Sequence, residues 1–447
     1  MMQGLYDLLL YLALPFALLR LLWRSRRLPA YRERWGERLG AYDSADLKAM
    51  VWIHAVSVGE VQAAQPVIRH LLDHYPGKGV MVTTTTPTGS ARLRALFEDR
   101  IRHVYAPYDL KPAVERFLDA VAPRLVLVME TEVWPNMLRA CEQRGIPVIL
   151  ANARLSQRSA QGYARLGGFA RKTFARFTII AAQAQADAMR FMELGAPSPR
   201  VQITGSIKFD LHLPASLREQ AEVMRRLWGS ERAVWVAAST HEGEEEQLLA
   251  VHRRVCAEVP EALLVLVPRH PDRFERVAAL IAREGLTLAR RSSHQPCTTQ
   301  TSVFLGDTMG ELQIFLAAAD IAFIGGSLVK VGGHNLLEAA AVGVPAVIGP
   351  HSFNFATITR LMVEEGAAAQ VADAADLTRQ LGAWLTDAAE RARIGENARR
   401  VMSENRGVLP RLLALIDGLL ERGGVAGPAV TRGDTGTSQS AGRGLNP

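Results

Sequence analysis

The sequence predicts an α/β protein built of two doubly wound domains behind an apolar N-terminal helix. Three observations carry this. From Val51 onward short apolar runs alternate with amphipathic stretches, the rhythm of a parallel sheet covered on both faces. The rhythm pauses at a Gly- and Pro-containing segment near Gly205–Pro214 and restarts at Ala233. Gly4 to Trp23 is apolar throughout except for Asp7 and Arg20, and belongs to neither series. The expected organisation is an anchor over 1–28, an N-terminal domain over 29–208 and a C-terminal domain over 209–421 that opens with a linker near 209–230. A tail rich in Gly, Ser, Thr and Pro follows over 422–447 and is expected to be disordered.

A membrane-spanning helix needs about 20 apolar residues, and Gly4–Trp23 is just long enough. It has no basic stretch before it and no small-x-small cleavage site, which argues against a removed signal peptide. Arg20, Arg24, Arg26, Arg27, Arg32, Arg34 and Arg38 crowd its far end. Positive charge after a span predicts that the rest of the chain stays on the cytoplasmic side. An interfacial helix held by apolar burial and anionic lipid is the competing reading.

In the first half, Val51–Val56, Val80–Thr84, Arg124–Met129, Val148–Leu150 and Thr178–Ala182 read as strands, with helices such as Val61–His74 and Thr88–Phe97 between them. Ligands of such sheets bind at the carboxyl ends of the strands, so the residues after each run are the candidates. After the first run comes Ser57-Val58-Gly59-Glu60. Gly59 permits a sharp turn, and Glu60, in the first turn of a helix, is either a dipole partner or a general base. After the third run stand Glu130-Thr131-Glu132-Val133-Trp134-Pro135. Two carboxylates there suit a substrate hydroxyl or a loop anchor, Pro135 suits a helix start, and Trp134 suits a packing anchor.

In the second half, Ala233–Ala238, Leu263–Val267, Val303–Leu305, Ile321–Ile324 and Ala346–Ile348 read as strands. The run Ile321–Ile324 leads into Gly325-Gly326-Ser327, then Gly332-Gly333-His334-Asn335-Leu336-Leu337-Glu338. A glycine-rich strand-to-helix loop brings backbone amides close to an anion, and Glu338 is placed to accept from ribose hydroxyls. The loop fits neither the Walker nor the G-x-G-x-x-G pattern. Thr240 with the amides near Gly243 is a second phosphate candidate, and Arg269, flanked by Pro268 and His270, suits a fork onto phosphate. Gly306, Met309 and Gly310 open a further helix that suits enclosure of a base. His241, His270 and His334 lie on separate loops without zinc-type spacing, so no metal is expected.

Composition limits the partners. The 447 residues suffice for two full cores, and the net charge of +7 favours an anionic partner. Aromatics are only 6% and do not interleave with basic residues, so nucleic acid is not expected. Cys141, Cys256 and Cys297 are too scattered for a metal or disulfide framework and read as reduced.

Taken together these motifs closely resemble the 3-deoxy-D-manno-octulosonic acid (Kdo) transferases, the lipid A glycosyltransferases of Gram-negative bacteria. Further matching pieces are Tyr31-Arg32-Glu33-Arg34-Trp35-Gly36-Glu37-Arg38, Thr83-Thr84-Thr85-Thr86-Pro87-Thr88-Gly89, Ala151-Asn152-Ala153-Arg154-Leu155-Ser156, Gly205-Ser206-Ile207-Lys208-Phe209-Asp210 and Thr240-His241-Glu242-Gly243-Glu244. The resemblance runs from Leu5 to about Leu420; Val133, where the family more often has Leu, is a minor departure. It implies a GT-B fold, two Rossmann-like domains facing across a cleft, with acceptor on the first and nucleotide sugar on the second. It implies CMP-Kdo as donor, the tetra-acylated lipid A precursor (lipid IVA) as acceptor, no cofactor, no metal, and an inner-membrane location with the catalytic domains on the cytoplasmic face. Glu60 would be the catalytic base of an inverting displacement. Ser57, Gly59, Glu130, Glu132, Arg154 and Lys208 would line the acceptor side. Thr240, Pro268, Arg269, His270, Gly306, Met309, Gly310, Gly332, Gly333, Asn335 and Glu338 would hold the nucleotide. The two other readings are a nucleotide-sugar 2-epimerase of the same fold, and a membrane-docked lipid-binding protein without catalysis.

Overall fold

The computed structural model describes residues 2–26, 28–42 and 47–422; the tail expected to be disordered lies outside them. The chain forms two compact units. One comprises residues up to Gly205 together with the segment from Leu409, and the other Ser206–Val408.

The first unit carries β1 (Val51–His54), β2 (Val80–Thr84), β3 (Arg102–Tyr105), β4 (Leu125–Met129), β5 (Val148–Ala153), β6 (Ile179–Ala182) and β7 (Val201–Ile203). Their order in the sheet is 3-2-1-4-5-6-7, and every pairing is parallel. The second unit carries β8 (Val234–Thr240), β9 (Leu263–Pro268), β10 (Leu288–Arg290), β11 (Val303–Leu305), β12 (Ile321–Ile324), β13 (Ala346–Ile348) and β14 (Ala368–Gln370). Its order is 10-11-9-8-12-13-14, again all parallel. Both sheets therefore reverse winding once, between β1 and β4 and between β8 and β12. That switch point is where an open α/β sheet leaves a crevice for a ligand.

Burial explains the strand sequences. β1, β2, β4, β8 and β9 are apolar runs with almost every residue buried, as sheets covered by helices on both faces require. Trp52 and Phe117 pack with ring centroids 4.5 Å apart beneath the first sheet, and Trp228, Phe304 and Phe315 form the matching aromatic cluster in the second.

Three features differ from the sequence expectation. The first unit ends at Gly205, so Lys208 belongs to the second, on the short Ile207–Phe209 turn. The segment expected as linker contains a helix, Leu217–Trp228, with Leu217 buried and Ala221, Met224 and Trp228 packed into the second core. The final helix, Val408–Arg422, was assigned to the C-terminal domain but belongs almost wholly to the first unit. Asp417 accepts from His70 Nε2 at 3.0 Å and from Tyr75 at 2.9 Å, and Arg411 donates to the Thr204 carbonyl at 2.8 Å. Sequence periodicity marks such a helix without revealing which core takes its apolar face.

The N-terminal helix spans Met2–Ser25 and is long and apolar enough, by length and composition, to cross a membrane.

Candidate active site

In the first unit the switch point is lined by carboxylates. Ser57 caps the Val58–His74 helix, its hydroxyl accepting from the Glu60 amide at 3.3 Å. The Glu60 side chain turns back over this cap. It accepts from the Val56 amide at 2.8 Å and from the Ser57 hydroxyl at 3.1 Å, a variant of the capping box. Glu60 is only 8% exposed. Burial drives its carboxyl from 4.5 up to about 8, nearby Glu132 and Glu130 push the same way, and the two hydrogen bonds only partly oppose them. The helix dipole favours the anion, yet desolvation wins.

Across the switch point, at the end of β4, Glu130 is buried in a left-handed conformation, φ 56°. Non-glycine residues held there are strained, and such strain concentrates at functional sites. Glu130 accepts from Arg154 Nε at 2.8 Å. Two residues on, Glu132 accepts from the Trp134 indole at 2.8 Å, and burial pushes its carboxyl up as well. Trp134 is thus more than an anchor: it orients a carboxylate while its ring meets His54 edge-on at 4.8 Å. Pro135 begins the Pro135–Gln143 helix as expected. The structure brings Ser57, Glu60, Glu130, Glu132 and Arg154 to one sheet edge; Gly59 lies in the same helical first turn.

In the second unit β8, β9 and β12 end side by side, which gathers residues scattered through the sequence. Arg269 follows β9, His241 follows β8, and His334, Asn335 and Glu338 follow β12. His241 and His334 lie parallel with Nε2 atoms 2.7 Å apart, and the His270 ring centroid is 5.6 Å from that of His241. Burial and the neighbouring cations hold His334 down at about 4 and lower His241 as well, so both are neutral at physiological pH. Burial raises the Glu338 carboxyl while Asn335 and Arg269 restrain it. Asn335 also accepts from the Leu337 amide at 3.2 Å, fixing the entry to the Leu337–Val342 helix.

The glycine loop is built differently from the expectation. The amides of Gly326, Ser327 and Leu328 converge on Glu244, at 2.7, 3.0 and 3.0 Å, and His241 adds its own amide at 3.2 Å. Glu244 is fully buried, and its carboxyl, which burial raises and these four hydrogen bonds restrain, holds the loop's first turn. The amides of Gly332 and Gly333 donate to the Gly326 carbonyl at 3.0 and 2.8 Å. Neither set is open to a phosphate; the amides of His334, Asn335 and Leu336 have no acceptor among the described residues. Gly332 remains essential to the shape: its φ is 109°, and a β-carbon would collide with Phe353 and Asn354.

Thr240 is a second correction. Its hydroxyl is fully buried and donates to Glu245 at 3.1 Å, which in turn pairs with Arg273 at 2.9 Å. It braces the site from behind rather than facing a ligand. Lys208 lies over the Phe355 ring at 4.6 Å, beside the loop that closes on Gly332, so it joins the second site rather than the acceptor side. Pro268 ends β9 with Arg269 tied by its amide to the Thr240 carbonyl. Gly306 is packed against Phe315 and Val267, Gly310 takes φ 88° and Met309 is 62% exposed at the lip of the next helix. Among the described residues no group of three His, Cys, Asp or Glu side chains is arranged to hold a metal.

Sequence reasoning missed Glu244 and the histidine pair as parts of the site. The signal was present: each follows a strand, and the strands in question neighbour one another once the doubly wound order is drawn.

The two parallel sheets, each with one switch point, make this a fold of the GT-B type. Residues 33–211 match the family model described as 3-deoxy-D-manno-octulosonic-acid transferase (kdotransferase), and residues 232–401 that of the group 1 glycosyl transferases. The chain is 43% identical over 420 residues to the 3-deoxy-D-manno-octulosonic acid transferase of Haemophilus influenzae, covering 93% of this chain and 98% of that one. It is 38% identical over 433 residues to the same transferase of Bordetella pertussis, covering 93% and 99%. Among solved structures, Anabaena HepE in complex with UDP aligns with TM-score 0.52 at 13% identity, covering 83% of this chain and 99% of that one. The UDP-GlcNAc 2-epimerase of Neisseria meningitidis bound to UDP-GlcNAc aligns with TM-score 0.52 at 15% identity, covering 79% and 98%. At such identities the likeness is one of fold. The chain belongs to the 3-deoxy-D-manno-octulosonic acid (Kdo) transferase family.

Proposed function

We propose that this protein transfers Kdo from CMP-Kdo to the tetra-acylated lipid A precursor by a single inverting displacement, on the cytoplasmic face of the inner membrane. The observation that carries the reading is Glu60: a buried carboxyl raised to about 8, at the switch point of the first sheet. A carboxylate ionising near working pH is a strong base once deprotonated.

In the reaction Glu60 takes the proton of the acceptor's primary hydroxyl as that oxygen bonds to the anomeric carbon of Kdo. The bond from that carbon to the phosphate oxygen breaks, and CMP departs with the electron pair. The transition state has oxocarbenium character, and charge growing on the leaving phosphate calls for preorganised donors. Arg269 and the amides of His334 to Leu336 supply them. Glu338 and Asn335 receive the ribose, and Lys208 neutralises the Kdo carboxylate. The reaction proceeds without a metal, because these cations and amides do the neutralising. Glu130 and Glu132 position the acceptor sugar, with Arg154 holding Glu130.

Incubation of the purified protein with CMP-Kdo and lipid precursor in detergent, with mass analysis of the lipid, tests the reading. The expected result is precursor carrying Kdo together with free CMP. Release of CMP with unmodified lipid, or no turnover of CMP-Kdo, overturns it.

A further inference from the structure

We infer that the N-terminal helix lies in the plane of an anionic bilayer, docked along the first unit, and does not cross the membrane; this rests on the membrane association proposed above. Its 24 residues make a rod of about 36 Å, enough for a hydrocarbon core of about 30 Å, so length does not decide between lying and spanning. Contacts at the amino end do. Near the amino end, Gln3 Nε2 donates to Asn136 Oδ1 at 2.8 Å, and Asn136 Nδ2 donates to Asp7 Oδ1 at 2.8 Å. Tyr6 donates to Asp109 Oδ2 at 2.8 Å, and its ring lies 5.5 Å from that of Phe169. At the carboxyl end, Leu21 and Ser25 are buried, and Arg32 Nε donates to Ser25 Oγ at 2.9 Å. Asn136 and Asp109 are themselves buried parts of the fold. A spanning helix would carry Gln3, Tyr6 and Asp7 about 30 Å away from Asn136 and Asp109, breaking all three bonds and leaving Asp7 to cross the hydrocarbon.

The opposite face says what covers it. Leu5, Leu8, Leu9, Leu12, Phe16, Leu19 and Trp23 recur at helical spacing on one stripe, with exposures from 49% to 74%. Contiguous apolar surface of this kind marks an interaction site. Arg20, Arg24 and Arg26 gather at one end of it, and cations beside an outward apolar stripe match anionic headgroups over acyl chains. The docking has a consequence for the site. Asp109, the partner of Tyr6, also accepts from the amides of Asn136 and Met137, at 2.9 and 2.8 Å. It therefore caps the helix that follows Glu130, Glu132 and Trp134. The lipid-facing helix is linked through one carboxylate to the acceptor-side loop, which fixes the height of that loop above the bilayer.

The test is sidedness. Gly4 and Gly162 each have open space where a side chain would go, so Gly4→Cys and Gly162→Cys are made separately in the full chain with Cys256 and Cys297 replaced by serine. Membrane vesicles of either orientation are treated with a membrane-impermeant maleimide. The expected result is that both positions label from the same side and neither from the other. Labelling of position 4 only from the side opposite to position 162 overturns the inference. A companion measurement floats the protein on vesicles: it should bind those containing phosphatidylglycerol and lose binding with Leu8→Glu and Phe16→Glu. A full chain that floats with neither anionic nor neutral vesicles overturns the inference too, and with it the membrane association, while Kdo transfer in detergent reports separately on the proposed reaction.

Discussion

Replacing Glu60 by glutamine separates catalysis from stability. The side chain is almost the same shape and keeps an oxygen for the Val56 amide, but it cannot take a proton. General-base catalysis typically contributes about 100- to 10,000-fold, so turnover should fall by that factor while CMP binding persists. Stability should move the other way. Burial raises this carboxyl from 4.5 to about 8, so the folded protein binds more protons than the unfolded chain between those values. Stability therefore falls as pH rises through that window. At about 1.4 kcal/mol per unit the ionised carboxylate costs about 4 kcal/mol at pH 8. Glu60→Gln removes this cost and should raise the melting temperature at pH 8, by roughly 2–4 °C per kcal/mol, with little change near pH 5. The same carboxyl shapes the rate: with about one molecule in ten ionised at pH 7, kcat/KM should climb towards pH 8 and then level. The assays are steady-state Kdo transfer from pH 5.5 to 9 and thermal melts of both proteins at pH 5 and pH 8. A flat pH profile, a glutamine variant that turns over normally, or one less stable than the parent at pH 8 would refute the reasoning.

Glu244→Ala should weaken CMP binding in calorimetric titration without touching the ligand, because it leaves three loop amides buried at about 1–3 kcal/mol each; Glu244→Gln, which retains one acceptor oxygen, should fall between. Gly332→Ala should lower CMP affinity, since alanine is disfavoured at φ 109° and would displace the Phe353 ring and the Asn354 amide; native-like affinity would mean that the loop does not shape the donor site. Arg269→Ala and Glu338→Ala should each lower CMP affinity and leave lipid binding unchanged, measured by the same titration and by vesicle co-sedimentation. Unchanged affinity in both would put the nucleotide elsewhere.

The central strands were legible because they are buried on both faces and read as unbroken apolar runs. The four strands that escaped, β3, β7, β10 and β14, are the edges of the two sheets. They are short and carry polar residues that are half-exposed (His103, Arg290) or exposed (Gln202, Gln370), so no apolar run announces them. The site followed the same rule. Glu130 and Arg269 directly follow a strand, and Glu60 and Glu338 lie in the first turn of the helix that a strand leads into, so the strand ends made all four legible. What the sequence could not reveal was which groups satisfy one another. Thr240 looked like a phosphate donor until Glu245 claimed its hydroxyl, and the amides of Gly332 and Gly333 looked open until the Gly326 carbonyl took them. The cap of Glu244 on a loop 82 residues further along is a tertiary fact with no local pattern. The same holds for the final helix, whose partner core depends on Asp417 meeting His70 and Tyr75.

The two sheets share one winding order and still prepare their switch points for opposite charges. In the first unit three carboxylates gather with a single paired cation, and that cation is placed on Glu130 rather than on Glu60. The distinction decides the chemistry. An arginine beside Glu60 would stabilise its anion and lower its pKa, giving a carboxylate that is always ionised but a weak base. With Arg154 committed to Glu130, and with Glu130 and Glu132 both raising Glu60, the basicity of Glu60 survives. In the second unit Glu244, the carboxyl around which the glycine loop turns, already accepts from four amides. Beside Glu338, what remains there is Arg269, neutral histidines and backbone donors, a surface suited to a nucleotide with a phosphate group. A nucleotide phosphate is attracted by the second arrangement, whereas the first presents carboxyls, with Glu60 largely protonated near pH 7 and Arg154 already paired with Glu130. With the nucleotide phosphate placed at Arg269 as proposed, exchanging Arg269 for glutamate should cost more donor affinity than Arg269→Ala, because it adds repulsion to a lost contact.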